Sequence, residues 1–299
     1  MTKKKRISLN NLEETNFWFF RTYNPDKWLI KIDFLKDSYE NFENIYGYMT
    51  NDKFNKEEYK IVIREELHFL IFQMIETLFE LIFALKDHNE SELPISLTFA
   101  NNSKTHYYSK TYDKIRDYSK DKINLLEETS LEINNKKIPI LRKILYFNAY
   151  SEKNDEIFDE NMIIIDKILK ILSTKFIDRE EYNAYKHSSR ESNSGFKMDL
   201  EFENTNQKVT IIDSRDAIHY LSSEKKNNLI KLRQVAKTFN FEIDYEVAII
   251  VYKLIYNIIT IRKSNLFNEH NGEYGVFSFD EKDYETVKKS IGSKFIVDM

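Results

Sequence analysis

Two stretches of this sequence hold the residues whose types and spacing could do chemistry. The first lies within Arg64–Lys86, where a row of residues spaced four apart crosses an otherwise apolar segment. Because residues four apart share one face of an α-helix, this row predicts a single polar seam along a buried helix. The polar residues of the row are Arg64, His68, Glu76 and Glu80.

The second stretch runs from residue 179 to residue 190 and has the opposite character. On a helix, five of its polar residues fall within about 100° of arc. They are Arg179, Asn183, Lys186, His187 and Arg190. An acidic seam and a cationic face are electrostatic complements, so we expect the two helices to meet.

A metal site is one interpretation of the first stretch. Glu65-x-x-His68 has the spacing found in di-iron carboxylate bundles, in which Glu76 and Glu80 would project nearby. Such sites need a second Glu-x-x-His, and the residue three before His187 is Ala184. We therefore predict neither a metal nor a cofactor, and interpret these residues as paired polar groups of the core.

The segment Tyr182–Arg190 contains Asn-x-x-Lys-His and follows a buried helix that carries carboxylates. It resembles the corresponding stretch of bacterial helical proteins of the HEPN type (higher eukaryotes and prokaryotes nucleotide-binding). The resemblance covers the central apolar helix and residues 155–190. It implies a helical bundle, commonly dimeric, with a role in bacterial stress or phage defence.

Active members of that family cleave RNA without metal, using an Arg followed by four to six residues and a His. No Arg of this chain precedes a His by that spacing. The resemblance therefore implies an alternative pocket in which His187 transfers the proton and Lys186 and Arg190 hold phosphate beside Asn183. Arg64, His68, Glu76 and Glu80 would support that pocket from the polar seam.

A second interpretation keeps the same residues but gives them no catalytic role. Lys186 and Arg190 would pair with acidic residues of the central helix, and Asn183 and His187 would complete the hydrogen bonds. The candidate acidic partners are Glu66, Glu76 and Glu80. The chain would then be a non-enzymatic interaction or scaffold protein whose polar seam fixes helix register. The sequence leaves both interpretations open.

The composition limits the class of protein. With 45 basic and 49 acidic residues the formal net charge is −4, so no overall charge draws the chain to nucleic acid or membrane. The absence of cysteine excludes disulfides and thiolate zinc sites and suits the cytoplasm. We expect RNA or nucleotide as a partner, or else a second copy or another protein, and no membrane.

Five glycines and three prolines in 299 residues indicate long helices with few tight turns. We predict a mainly α-helical bundle with a small β-hairpin insert at about 196–212. Its core would be three apolar helices near 60–86, 155–176 and 244–262. Leu67–Leu85 has nearly the length of a membrane span, but His68, Gln73, Glu76 and Glu80 make it a core helix.

The remaining elements follow from periodicity and capping signals. Residues 1–23 form a basic and aromatic lead whose Phe17–Phe20 cluster would pack on the core, and residues 24–299 form one domain. Asp178 and Glu181 predict a capping box that opens the cationic helix. We also expect helices at about 24–48, 104–128, 140–147, 178–192, 223–239 and 283–290, a hairpin at 131–138 and a strand at 276–279.

Overall fold

The computed structural model describes most of the 299 residues. His187 and Arg190 lie outside the described residues, as do residues 45–55 and 88–106. The description covers residues 9–42, 44, 56–87, 107–133, 136–147, 155–186, 197–202, 207–213, 217–226, 229–267, 275–292 and 294–298.

The fold is mainly α-helical, as the scarcity of glycine and proline predicted. Helices near 60–86, 155–176 and 244–262 are all present, and they are α3, α6 and α8 in chain order. The helices are α1 (Leu9–Thr22), α2 (Asp26–Glu40), α3 (Lys56–Asp87), α4 (Tyr107–Ser119), α5 (Ile140–Tyr146), α6 (Asp155–Ile177), α7 (Glu180–Lys186), α8 (Phe241–Phe267) and α9 (Glu281–Lys289).

Seven strands form three small antiparallel sheets in the described residues. The predicted hairpin at about 196–212 is confirmed as β3 and β4, and the hairpin at 131–138 as β1 and β2. The third sheet has the order β5-β6-β7. The strands are β1 (Thr129–Ile133), β2 (Lys136–Pro139), β3 (Lys197–Phe202), β4 (Gln207–Asp213), β5 (Ala217–Lys226), β6 (Leu229–Thr238) and β7 (Lys294–Asp298).

The predicted helix at 223–239 is wrong, because this stretch forms the end of β5 and the whole of β6. β6 pairs with β5 on one side and β7 on the other, so its backbone groups are bonded within the sheet. The apolar spacing of the segment fits a helix, but pairing with two neighbouring strands decides its conformation.

Two other boundaries differ from the predictions. The helix expected over 104–128 ends at Ser119, and Asp121 just beyond it has φ 57°, which interrupts a helix. The strand expected at 276–279 does not form. Asn257 instead binds that segment, donating to the Phe277 carbonyl at 2.8 Å and accepting the Phe277 N–H at 2.9 Å.

The lead also differs from its prediction. Phe20 is buried, but Phe17 is 38% and Trp18 52% exposed, so the aromatic cluster is only partly packed. The two residues lie on α1, one turn before its end at Thr22. Because a helix turns by about 100° per residue, four consecutive aromatic residues cannot all face one core.

α3 passes the test of length and composition for a membrane-crossing helix. Its most apolar window has a mean hydropathy of 1.6, and 72% of that window is buried within the protein. Core helices pass the same test, and this one is apolar on almost every side from Leu67 to Leu85.

The chain divides into two compact units, each assembled from three separate segments. Unit A contains residues 1–30, 73–177 and 249–285, and unit B contains residues 31–72, 178–248 and 286–299. α3 and α8 each contribute to both units, with the divisions after Phe72 and Ala248. A single domain over 24–299 stays a prediction.

Unit A is held by buried polar contacts as well as by its apolar core. Arg262 on α8 donates to the carbonyls of Ile144 at 2.7 Å and Lys143 at 3.3 Å, both in the last turn of α5. The Tyr118 hydroxyl donates to Asp166 Oδ1 on α6 at 2.5 Å. These contacts join α8 to α5 and α4 to α6 within unit A.

Candidate functional site

Unit B contains most of the residues that the sequence singled out. Asn183 and Lys186 lie exposed on α7. Arg64 and His68 lie buried on the first half of α3. Glu76 and Glu80 are partly exposed on the second half of α3 and belong to unit A. His187 and Arg190 follow α7 in sequence and lie outside the described part of the chain.

α7 does pack on α3, but through its aromatic face. The Tyr182 ring stacks on Phe72 with centroids 5.3 Å apart, and the Tyr185 ring on Phe69 with centroids 3.9 Å apart. The Tyr185 hydroxyl donates to Glu66 at 2.7 Å. Residues three apart share a helix face, so this contact leaves the side chain of Asn183 toward solvent.

His68 is held between two carboxylates. Its Nδ1 lies 2.7 Å from Asp244 Oδ2 in the first turn of α8, so the ring is oriented by a hydrogen bond. Its Nε2 lies 4.0 Å from Glu181 Oε1 on α7, which is an ion-pair distance and too long for a hydrogen bond. His68 is only 2% exposed.

Glu181 is fully buried and is paired by a lysine from the sheet. Lys237 Nζ on β6 lies 2.5 Å from Glu181 Oε1, and Lys237 is itself buried. Burial alone would raise the pKa of Glu181, but His68 and Lys237 favour its charged form and lower the pKa to about 2. The carboxylate predicted to cap α7 therefore belongs to the core.

A second lysine binds the start of α7. Lys294 on β7 is the register partner of Lys237, and its Nζ lies 3.2 Å from both Asp178 Oδ1 and Glu180 Oε2. Partial burial would lower the pKa of Lys294, but Asp178 and Glu180 raise it above its usual value. Two lysines that are neighbours on one sheet face thus hold the three acidic residues at the start of α7, which are Asp178, Glu180 and Glu181.

We call His68, Glu181, Lys237 and Asp244 the buried ionic cluster. Two polar atoms of the cluster and one beside it have no hydrogen-bond partner among the described residues. They are His68 Nε2, Glu181 Oε2 and the neighbouring Tyr220 hydroxyl. Burial and the charge of Glu181 raise the pKa of Tyr220 above its usual value, so its hydroxyl keeps its proton. The cluster joins α3, α7, β6 and α8 by charge pairing.

Arg64 lies one turn before His68 and packs on an aromatic ring. Its guanidinium carbon is 4.9 Å from the centroid of Phe239, and the Phe239 ring is 5.1 Å from the His68 ring. This arrangement covers one side of the imidazole. A substrate would have to displace Phe239 to reach His68 from that side.

The metal interpretation finds no support in this part of the molecule. Within the described residues, no group of three or more His, Asp or Glu side chains is arranged to hold a metal ion. His68, which would be the ligand in Glu65-x-x-His68, binds Asp244 through its Nδ1 instead. Lys237 occupies the position beside Glu181 that a cation would take.

Sequence reasoning missed three of the four members of the cluster. The apolar spacing places Lys237 on a predicted helix, and the capping pattern assigns Glu181 to a helix cap. One signal could have found the sheet: Asn227-Asn228 separates two apolar-rich runs, as Asn134-Asn135 separates the strands of the predicted hairpin at 131–138. Nothing in the local sequence marks Asp244 as the partner of a residue 176 positions away.

Comparison of this chain with protein-family models, with curated proteins and with solved structures finds no match. Its function must therefore be argued from its own residues.

Proposed function

We propose that this chain is an RNA- or nucleotide-binding protein whose contact face is the solvent-facing side of α7. The observation that carries the proposal is the sorting of polar residues on that helix. Glu181 is buried in the ionic cluster, whereas Asn183 and Lys186 are exposed. An amide and an ammonium reachable from solvent are groups that bind phosphate and base edges. In sequence, His187 and Arg190 continue this cationic stretch.

The buried ionic cluster supports this face and takes no part in chemistry with a ligand. Its four residues are each less than 10% exposed, and each is paired with another member of the cluster. Side chains so enclosed cannot meet a phosphate chain. These side chains hold α7 at a fixed position on α3 and the sheet, so that Asn183 and Lys186 are presented from a rigid helix.

The resemblance to HEPN-type proteins extends the proposal to catalysis. In that form His187 transfers a proton during metal-independent RNA cleavage, and Lys186 and Arg190 stabilise the charge that develops on phosphate. The same resemblance supports a cytoplasmic dimer that acts in bacterial stress or phage defence.

The experiment compares wild type with Lys186→Ala and His187→Ala. Fluorescence anisotropy with a labelled single-stranded RNA measures affinity at several salt concentrations, and a mixed RNA pool in EDTA measures cleavage. Loss of one phosphate contact should make the slope of log affinity against log salt shallower by about 0.7 in Lys186→Ala. Because Lys186 is exposed, the melting temperature of the Lys186→Ala variant should equal that of wild type.

Lys31→Ala is the matched control, since Lys31 is an exposed lysine of the same unit on α2. It should leave both affinity and salt slope unchanged. The binding proposal is wrong if Lys186→Ala and Lys31→Ala bind RNA equally well. Cleavage that persists in His187→Ala would contradict the catalytic form alone.

A second candidate function is a non-enzymatic interaction or scaffold protein. It is favoured by the exposure of large apolar side chains on α2, where Ile30 is 64% and Phe34 66% exposed one turn apart. Apolar residues on one side of a helix are typical of a surface that binds another protein. Two results together would support this second function. Wild type would neither bind nor cleave RNA, and Ile30→Lys and Phe34→Lys would each abolish the self-association that light scattering measures.

A further inference from the structure

Three polar atoms deep within unit B have no hydrogen-bond partner among the described residues. They are His68 Nε2 on α3, Glu181 Oε2 on α7 and the Tyr220 hydroxyl on β5. Their side chains are each at most 2% exposed, so bulk solvent does not reach them. A buried polar atom without a hydrogen bond destabilises a fold, so three of them around one ionic cluster need a common explanation.

The gap between His68 and Glu181 has the length of a bridged contact. His68 Nε2 lies 4.0 Å from Glu181 Oε1, which is too long for a hydrogen bond. Two atoms that bind the same water molecule lie up to about 5.6 Å apart, because each hydrogen bond measures about 2.8 Å. Both side chains are held in place, since Asp244 binds the ring at Nδ1 and Lys237 binds the carboxylate at Oε1.

Tyr220 lies on the sheet face that meets this carboxylate. It pairs in register with Val235, which is two residues before Lys237 on β6. Residues two apart on a strand share a face, so Tyr220 and Lys237 are diagonal neighbours beneath α7, which packs against β5. Burial and the negative charge of Glu181 raise the pKa of Tyr220 above its usual value, so its hydroxyl is a donor.

The three atoms together match the hydrogen bonds of one water molecule. The Tyr220 hydroxyl donates, Glu181 Oε2 accepts, and His68 Nε2 does either, depending on whether the ring is neutral or charged. Water has two hydrogens to donate and two lone pairs, so it completes all three bonds in either state of the ring. About three hydrogen bonds is also the usual number for a buried water in a protein.

We propose that one water molecule is bound inside unit B between α3, α7 and β5. It accepts from the Tyr220 hydroxyl, donates to Glu181 Oε2 and bonds to His68 Nε2. The water is a fixed part of the fold, and it ties α7 to β5 as Lys237 ties α7 to β6. Tyr220 is therefore a positioning residue for α7. The inference is independent of the function proposed for that helix.

A metal ion fits the same three atoms less well. Within the part of the chain that the structure describes, no group of three or more His, Asp or Glu side chains could hold one. Lys237 already places a positive charge against Glu181, and a second cation would be repelled by it. The Tyr220 hydroxyl would also direct its hydrogen toward the ion. A neutral ligand that both donates and accepts meets none of these obstacles.

A crystal structure of the full chain, at a resolution that shows ordered water, tests the site directly. We expect one density peak within about 2.6–3.2 Å of all three atoms. The proposal is overturned if the Tyr220 hydroxyl binds Glu181 Oε2 directly or if no density lies among the three atoms. It is also overturned if the distances are the shorter ones of a metal ion.

Oxygen-17 relaxation dispersion tests the site in solution, because it counts the water molecules that stay inside a protein. Tyr220→Phe keeps the ring but removes one of the three bonds, so the count should be lower by one than in wild type. Tyr185→Phe is the matched control, since the Tyr185 hydroxyl binds Glu66 directly at 2.7 Å, and its count should equal that of wild type.

Thermal unfolding of both variants shows whether they fold. An unchanged count in Tyr220→Phe, or an equal fall in both variants, would overturn the proposal. If Tyr220→Phe does not fold, the density in the wild-type crystal decides the question alone.

Discussion

At the scale of single residues, the decisive feature is that neighbouring carboxylates on one short helix have opposite environments. Glu181 is fully buried beside Lys237, whereas the Glu180 side chain is 52% exposed beside Lys294. Both pairs join α7 to the same sheet. Their energies should differ widely, because a buried charge has no water to replace a lost partner.

Glu181→Gln should therefore destabilise the protein by about 3–5 kcal/mol, since it removes the buried partner of Lys237 and leaves that charge only Asp178, which is 3.6 Å away and 49% exposed. Glu180→Gln is the adjacent control, and as an exposed pair it should cost about 0–1 kcal/mol. Urea unfolding followed by circular dichroism measures both. Equal losses in the two variants would show that burial does not govern these ion pairs.

The lowered pKa of Glu181 also predicts acid sensitivity. The pKa falls from 4.5 to about 2 on folding, so the charged carboxylate stabilises the native state fully above pH 4.5. That contribution, on the order of 3 kcal/mol, is lost as the pH falls from 4.5 toward 2. Unfolding free energies measured between pH 6 and pH 3 should fall less steeply in Glu181→Gln than in wild type. Parallel curves would contradict the assignment.

At the scale of elements, β7 depends on one glycine. A Cβ on Gly292 would overlap the backbone carbonyl oxygen of Thr238 at the end of β6, and a backbone atom cannot move aside as a side chain can. This close approach lets β7 reach its register beside β6, where Lys294 meets Asp178 and Glu180.

Gly292→Ala should cost about 1–3 kcal/mol, the range of overpacked sites, and should weaken the protection of β7 in hydrogen exchange. Gly275→Ala is its control, because a Cβ there would meet no atom within 4 Å. That variant should stay within about 0.5 kcal/mol of wild type. If both variants unfold like wild type, the contact with Thr238 is not a constraint on the sheet.

The elements also show which parts of the fold could be read from the sequence. The three apolar helices and the hairpin at 197–213 have strong local periodicity, and each forms where it was predicted. β6 was mistaken for a helix because its apolar residues suit both periods and its partner β7 lies more than 50 residues later. The buried ionic cluster could not be predicted for the same reason. Its pairs, His68 with Asp244 and Glu181 with Lys237, join residues that are far apart in the sequence.

At the scale of the whole molecule, neither unit is a continuous piece of chain. Unit B takes residues 31–72 from the first half of the sequence and residues 178–248 and 286–299 from the second. The buried ionic cluster crosses this division of the sequence, because His68 comes from the first segment and its partners Glu181 and Asp244 from the second. No single cut leaves either unit complete.

A fragment of residues 178–299 should therefore fail to fold cooperatively, although it contains α7, α8 and the β5-β6-β7 sheet. It lacks His68 and the aromatic residues of α3 that stack on Tyr182 and Tyr185, so Glu181 and Asp244 lose a partner and the face of α7 is uncovered.

Thermal unfolding by circular dichroism should show no sigmoidal transition for the fragment and one for the full chain. A cooperative transition in the isolated fragment would mean that the sheet, α7 and α8 form a stable body without α3. Mixing the fragment with residues 1–177 should restore part of the transition, since every segment of both units is then present.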